Sequence, residues 1–259
     1  MRAIFCILIL ITINGCKPEE QTANLKIDHV NIWIKNPKEG KKKLEEIGFT
    51  SIPDSLCKVH KGQGTTGRYF YFLNTYLELI FINNQEEFEQ NALENNQLDF
   101  AERSNNQKNG FSPFSIALNM KRYDKEKIPF QTIEYAQDWM GEENKILVAR
   151  NSKINKEEPS IFVVYPEIQY DVFENIEDLV NIPEEYAVWR EFYKHKNGVE
   201  KITKIKIHSK KLNKKSKTVN ELQQIQGLEL LKGKDYLMEI FFDHHKQNKS
   251  YDLRPELPL

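Results

Sequence analysis

The chain has 259 residues, 39% of them hydrophobic and 29% charged, with a formal net charge of -1. That is enough apolar material for one or two globular domains with a sizeable core. The near-zero charge removes the electrostatic case for nucleic acid as a partner, which a basic face would make.

At the N-terminus Arg2 supplies a positive charge and Ala3 to Ile13 an apolar run too short to span a bilayer comfortably. The run ends at Ile13-Asn14-Gly15-Cys16, a small residue directly before a cysteine, which resembles the lipobox of bacterial lipoproteins. The resemblance implies cleavage before Cys16, lipidation of its thiol and tethering to a membrane of the bacterial cell envelope. An ordinary signal peptide or a buried strand is the competing reading. Residues 1–15 therefore read as a signal segment and 16–24 as a polar tether. Cys6 leaves with the signal and Cys16 carries the lipid, so Cys57 is left without a disulfide partner. Near a glycine loop and without an activating base, Cys57 reads as a small buried hydrophobe.

Leu25 to Ile34 alternates, with Val30, Ile32 and Ile34 on one face and Ile27, His29, Asn31 and Trp33 on the other, which is a strand pattern. Lys38 to Ile47 reads as a helix closed by Gly48, and Phe49 to Pro53 as a short strand. His60 to Ile82 opens with glycines and hydroxyls and runs through an aromatic strand to a turn at Asn74-Thr75. It leaves through Tyr76-Leu77-Glu78-Leu79-Ile80-Phe81-Ile82. By the two-residue period Glu78 shares a face with Tyr76 and Ile80, and a half-buried carboxylate there needs a partner.

This β-α-β-β-β order, with Asp28-His29-Val30 at its start, the His60-x-Gly-x-Gly64-Thr65 loop and Leu77-Glu78-Leu79 at its end, resembles a module of the vicinal-oxygen-chelate superfamily. The subgroup it resembles is the glyoxalase-like domain proteins, and the terminal Asp252 to Leu259 adds to that likeness. The resemblance implies an α+β fold of paired βαβββ modules whose curved mixed sheets enclose a cleft. It also implies a divalent metal ion (Zn, Ni, Mn or Fe) bound by His29 and Glu78, with a further ligand drawn from Glu239, His60 or His208.

Residues 25–83 form the first module in this reading, 84–110 a linker and 111–170 the second module. The second module departs from the metal pattern: Ser112 to Phe114 stands where a ligand His is expected, and Val163 to Tyr165 where a Glu is. Residues 171–200 read as a helical connection and 201–259 as a partial third module and tail. In that partial module a strand carries His208, and Gly227 to Leu231 forms a hairpin with Tyr236 to Asp243, which carries Glu239.

Two function classes follow. One is a metal-assisted lyase, isomerase or dioxygenase acting on a small oxygenated molecule, with Glu78 and His60 as catalytic groups and Arg68, Thr65 and Trp33 as substrate contacts. The other is a metal-free protein that binds a small molecule in the same cleft. Both leave the oligomeric state open, and both place the chain at a membrane through its lipid.

Overall fold

The computed structural model describes residues 25–246 and 248–254, so Cys16 and the expected signal and tether lie outside the described residues. The strands in chain order are β1 (Leu25–Trp33), β2 (Val59–His60), β3 (Thr65–Phe72), β4 (Thr75–Ile82), β5 (Phe114–Met120) and β6 (Thr132–Tyr135). They continue with β7 (Ile146–Ala149), β8 (Ser160–Val163), β9 (Ile202–Ser209), β10 (Leu228–Lys232), β11 (Leu237–Phe242) and β12 (Ser250–Leu253). Helices α1 (Pro37–Glu46) and α2 (Gln85–Glu94) follow β1 and β4 respectively.

The fold is α+β. Strands β1 to β8 make one mixed sheet in the order β2-β3-β4-β1-β5-β8-β7-β6, and the rest make a second sheet, β10-β9-β11-β12. In the larger sheet β1 runs parallel to β4 and β5 parallel to β8, while β1 and β5 meet antiparallel at the centre. The strand pattern therefore reads alike from either edge, as two copies of one module would make it. The modules thus share one continuous sheet rather than two separate ones, because β1 and β5 pair along almost their whole lengths.

Alternation along each strand decides what the two faces do. Val30, Ile32, Phe70, Phe72, Leu77, Leu79, Ile116 and Val163 point to one face and are fully buried. They join one core cluster with Ile205, Ile207, Leu230, Met238 and Phe242 of the smaller sheet. Each such side chain contributes about 1.5–3 kcal/mol by leaving water. The opposite face of the large sheet carries the polar and aromatic residues that line the cleft.

Two sequence expectations are corrected, and a third, the helical connection over 171–200, takes 3₁₀ rather than α form. Phe49 to Pro53 is not a strand. Ile52 makes one backbone–backbone bond, from its N–H to Tyr69 O at 3.0 Å, and the following Pro53 has no N–H to extend a ladder. The stretch 171–200 carries two 3₁₀ segments, Ile176–Asn181 and Glu184–Tyr193, separated by Pro183 with extended Ile182 before it. The expected hairpin of Gly227–Leu231 with Tyr236–Asp243 does not form, because β9 lies between β10 and β11. A short helix, Lys217–Leu222, buries Val219 and Leu222 and returns the chain so that β10 pairs parallel to β9.

Candidate functional site: an aromatic cleft with unpaired acceptors

A cleft of about 880 Å³ lies on the second face of the large sheet. Its floor takes alternate residues from successive strands: His29, Asn31 and Trp33 of β1, Tyr69 and Tyr71 of β3, Tyr76, Glu78 and Ile80 of β4. Across the sheet centre Ser115, Tyr135, Val148 and Phe162 continue it. The 3₁₀ segments of the connection form a wall, from which Trp189 stacks on Tyr71 with ring centroids 6.0 Å apart.

A β-bulge shapes the first polar pair. Opposite β5, Ile27 pairs with Leu118 and His29 with Ala117, so Asp28 is the extra residue. A bulge re-aims its side chains, and here Asp28 Oδ1 lies 2.6 Å from Nδ1 of the adjacent His29. Asp28 Oδ2 accepts from Asn119 Nδ2 at 3.1 Å and from Tyr170 N at 2.9 Å. Burial pushes the Asp28 carboxyl up, but His29, the Tyr170 N–H and the Asn119 amide outweigh it and hold it below its ordinary value. The imidazole of His29 then stacks on Tyr76, centroids 4.2 Å apart and 14° from parallel.

Glu78 ends a hydrogen-bond chain. Gln63 Nε2 donates to Thr65 Oγ1 at 2.7 Å, and Thr65 Oγ1 lies 2.9 Å from His60 Nδ1. His60 Nε2 lies 3.1 Å from the Tyr69 hydroxyl, which hydrogen-bonds Glu78. A tyrosine has one proton to give, so with Tyr69 donating to the carboxylate, His60 donates from Nε2 and accepts from Thr65 at Nδ1. Burial lifts the Glu78 carboxyl to about 8, with the Tyr69 hydrogen bond working against it. Burial presses His60 down to about 4, helped by the charges of His29 and Lys58. At neutral pH the two groups, 4.0 Å apart, are therefore mostly uncharged and do not form an ion pair.

Two buried acceptors on this floor have no hydrogen-bond partner, Glu78 Oε1 and Asn31 Oδ1. Their residues are only 3% and 5% exposed, and they stand opposite one another in the β1–β4 register. Gly67 leaves the space that Glu78 fills: a Cβ on Gly67 would lie 2.4 Å from Glu78 Oε1.

The expected site residues divide. His29, Trp33, His60 and Glu78 line the cleft together. Thr65 is buried beneath it and orients His60. Arg68 is absent from the cleft, because the alternation that sends Gly67 and Tyr69 inward sends Arg68 the other way. Its guanidinium pairs with Asp54 at 3.0 Å and lies over the Phe81 ring. Glu239 stands on the smaller sheet, away from the cleft, and pairs with His208 at 2.5 Å. It does not mirror Glu78, since β11 runs antiparallel to β9 whereas β4 runs parallel to β1. The Cys57 thiol is half-buried and burial raises its pKa, which leaves it a poor nucleophile.

Asn31 and Tyr69 escaped the sequence reading although the alternation that exposes His29 and Glu78 also exposes them. Asp28 could not be found that way, because the bulge breaks the period. Tyr170, Trp189 and Tyr193 reach the cleft only through the path of the connection.

The donors present do not fit a metal ion. His29 is opposite Tyr76 rather than Glu78 in the register, its Nδ1 is held by Asp28, and His60 Nε2 is engaged by Tyr69. Among the described residues no three His, Cys, Asp or Glu side chains stand together as a metal-binding group.

Residues 27–154 match the family described as glyoxalase-like domain. No curated protein matches the chain. Among solved structures, a hypothetical protein from Staphylococcus aureus is similar at 16% identity, over 84% of this chain and 81% of its own, with a TM-score of 0.38. A Streptomyces coelicolor methylmalonyl-CoA epimerase variant in complex with 2-nitronate-propionyl-CoA is similar at 14% identity, over 54% of this chain and 98% of its own, with a TM-score of 0.34. Scores of that size carry no argument about what this chain does. The match over 27–154 and the paired strand order of the large sheet agree with the α+β fold of paired βαβββ modules that the sequence resemblance implies.

Proposed function

We propose that this chain is a glyoxalase-like protein that holds a small molecule in the aromatic cleft without recruiting a metal ion, with Asn31 and Glu78 as its polar recognition pair. The observation that carries this reading is the pair of buried, unpartnered acceptors on the floor of a mostly apolar cleft. A buried polar atom without a partner costs about 1–3 kcal/mol, and a ligand that supplies the missing hydrogen bonds recovers that cost on binding.

The chain contains three tryptophans, and Trp33, Trp139 and Trp189 all line the cleft. Indole emission therefore reports occupancy directly. Titration with a panel of small aromatic and aliphatic molecules should give saturable quenching with one site per chain. Ser115→Leu, which fills the cleft floor, should abolish it. A panel in which nothing quenches saturably would sink the proposal. The metal-assisted alternative is separated by metal analysis of the purified chain: stoichiometric metal that Glu78→Gln removes would overturn the metal-free reading.

A second reading rests on Glu78 itself. A carboxyl raised to about 8 and wired to His60 through Tyr69 is suited to moving a proton near neutral pH, as an acid–base group in a lyase or isomerase must. Under that reading turnover of a carbonyl substrate would follow a titration near pH 8 and vanish in Glu78→Gln.

We also propose that the protein is tethered to the cell envelope through lipid on Cys16. Labelled palmitate should enter the wild type and not Cys16→Ala. Absence of label from the wild type would end that assignment.

A further inference from the structure

We infer that the ligand of this cleft is an organic cation, an amine whose ammonium group donates to Asn31 Oδ1 and Glu78 Oε1 while its flat apolar body lies against the aromatic walls. This rests on the reading of the cleft as a small-molecule site and names the ligand's chemistry. The unpartnered atoms are acceptors, so the ligand must bring donors. They stand on neighbouring strands at paired positions, so one ammonium with its several N–H bonds can serve both.

Charge selects the ammonium over a neutral donor. Burial keeps Glu78 mostly protonated in the free protein, and an ammonium seated against it favours the ionised form, so the pair becomes charged on binding. Around it the lining holds the carboxylates of Asp99, Glu167 and Asp171 against the single ammonium of Lys58. Asp99 is paired with Arg103 behind the wall, at 2.7 Å, and Glu167 and Asp171 stand free of any ion pair among the described residues. The walls add to this. Tyr69, Tyr71, Tyr76 and Tyr170 crowd around the floor with neighbouring centroids 5.2 to 5.9 Å apart. Ring faces attract a desolvated cation and repel an anion. At the mouth Leu56, Val59, Trp139 and Tyr186 are exposed apolar or aromatic side chains, which suits entry of an apolar body.

The test compares three probes of one shape and different heads: phenethylamine, 2-phenylethanol and phenylacetate. Each is titrated into the full chain and read by indole emission and by calorimetry. The amine should bind about tenfold or more tighter than the alcohol, the scale of a charge-assisted hydrogen bond with a cation–π contribution. Phenylacetate should bind weakest. In Glu78→Gln the amine should lose more affinity than the alcohol, so that the preference for amine over alcohol collapses, with a melting curve confirming the fold. Asn31→Leu should weaken the amine without reversing the order. If either variant does not fold, the ranking of the probes on the wild type decides alone. Alcohol binding as tightly as amine, a preference for phenylacetate, or no amine binding overturns the inference. Binding of the alcohol without the amine does so while leaving the small-molecule reading intact.

Discussion

Glu78 is the residue on which the site turns, and its neighbours show how a strand holds a buried carboxyl. Leu77 and Leu79 enter the core on the other face, so the backbone cannot rotate Glu78 toward water without exposing both. Tyr69 engages the carboxyl, and Gly67 clears its volume. Gly67→Ala should therefore displace Glu78, because the new Cβ would lie 2.4 Å from Glu78 Oε1 and 2.7 Å from Tyr69 Cζ. The expected cost is about 1–3 kcal/mol of stability from overpacking, with loss of ligand quenching, both measurable on one sample by urea titration and indole emission. Unchanged quenching would show that Glu78 is not held as described. Arg103 is a second buried charge that the sequence places in a linker. It is 1% exposed, pairs with Asp99, and donates to Ser112 O, Glu158 O and Ser152 O. Arg103→Met removes a donor from Asp99 Oδ2 and from four carbonyls, those of Ser112, Ser152, Lys156 and Glu158. A loss of about 3–5 kcal/mol is expected, and a urea midpoint within error of the wild type would contradict that role.

At the scale of elements, the join between the two sheets depends on a residue in neither. Phe49 lies in an irregular segment, yet its ring meets Phe72 at 5.7 Å, Phe242 at 5.6 Å and Tyr251 at 4.9 Å. It thus ties β3 to β11 and β12. Phe49→Ala should cost about 3–5 kcal/mol, as large-to-small aromatic changes in cores do. Its location predicts more than a magnitude: hydrogen exchange should accelerate in β11 and β12 before β1 and β4. Uniform acceleration across both sheets would argue that the sheets do not separate at this seam. His195 backs the same seam as a buried strut, accepting from Thr50 N and bonding Tyr71 O, each at 2.9 Å.

For the whole molecule, the buried titratable groups set a pH optimum for stability. His60 and His195 are both pressed from 6.5 to about 4 by burial, so the unfolded chain binds more protons between those values and stability falls as pH drops through that window. Glu78 is raised from 4.5 to about 8, so the folded chain binds the extra proton and stability falls as pH rises from 4.5 to 8. Below 6.5 the two histidines outweigh the one carboxyl; above it only the carboxyl acts. These three groups therefore place the maximum near pH 6.5. Urea midpoints taken across that range should show it, and Glu78→Gln should flatten the alkaline side while leaving the acid side alone. An alkaline limb that persists in Glu78→Gln would assign it to another group.

Local alternation was legible in the chain itself. Val30 and Ile32 against His29 and Trp33, and Leu77 and Leu79 against Tyr76 and Glu78, already sorted core from cleft, because a strand's side chains have no choice but to alternate. The α+β class and the doubled module come from the resemblance to the vicinal-oxygen-chelate module rather than from alternation, which placed His29 and Glu78 only on the outward phase of their own strands. Everything that depends on which strand lies beside which was decided only in three dimensions. The register set Asn31, not His29, opposite Glu78, and the bulge turned Asp28 onto His29. The separate sheet built by β9 to β12 holds Glu239 away from the cleft. Such pairings are chosen by the fit of long-range surfaces separated by many residues of chain, and no periodicity along that chain encodes them.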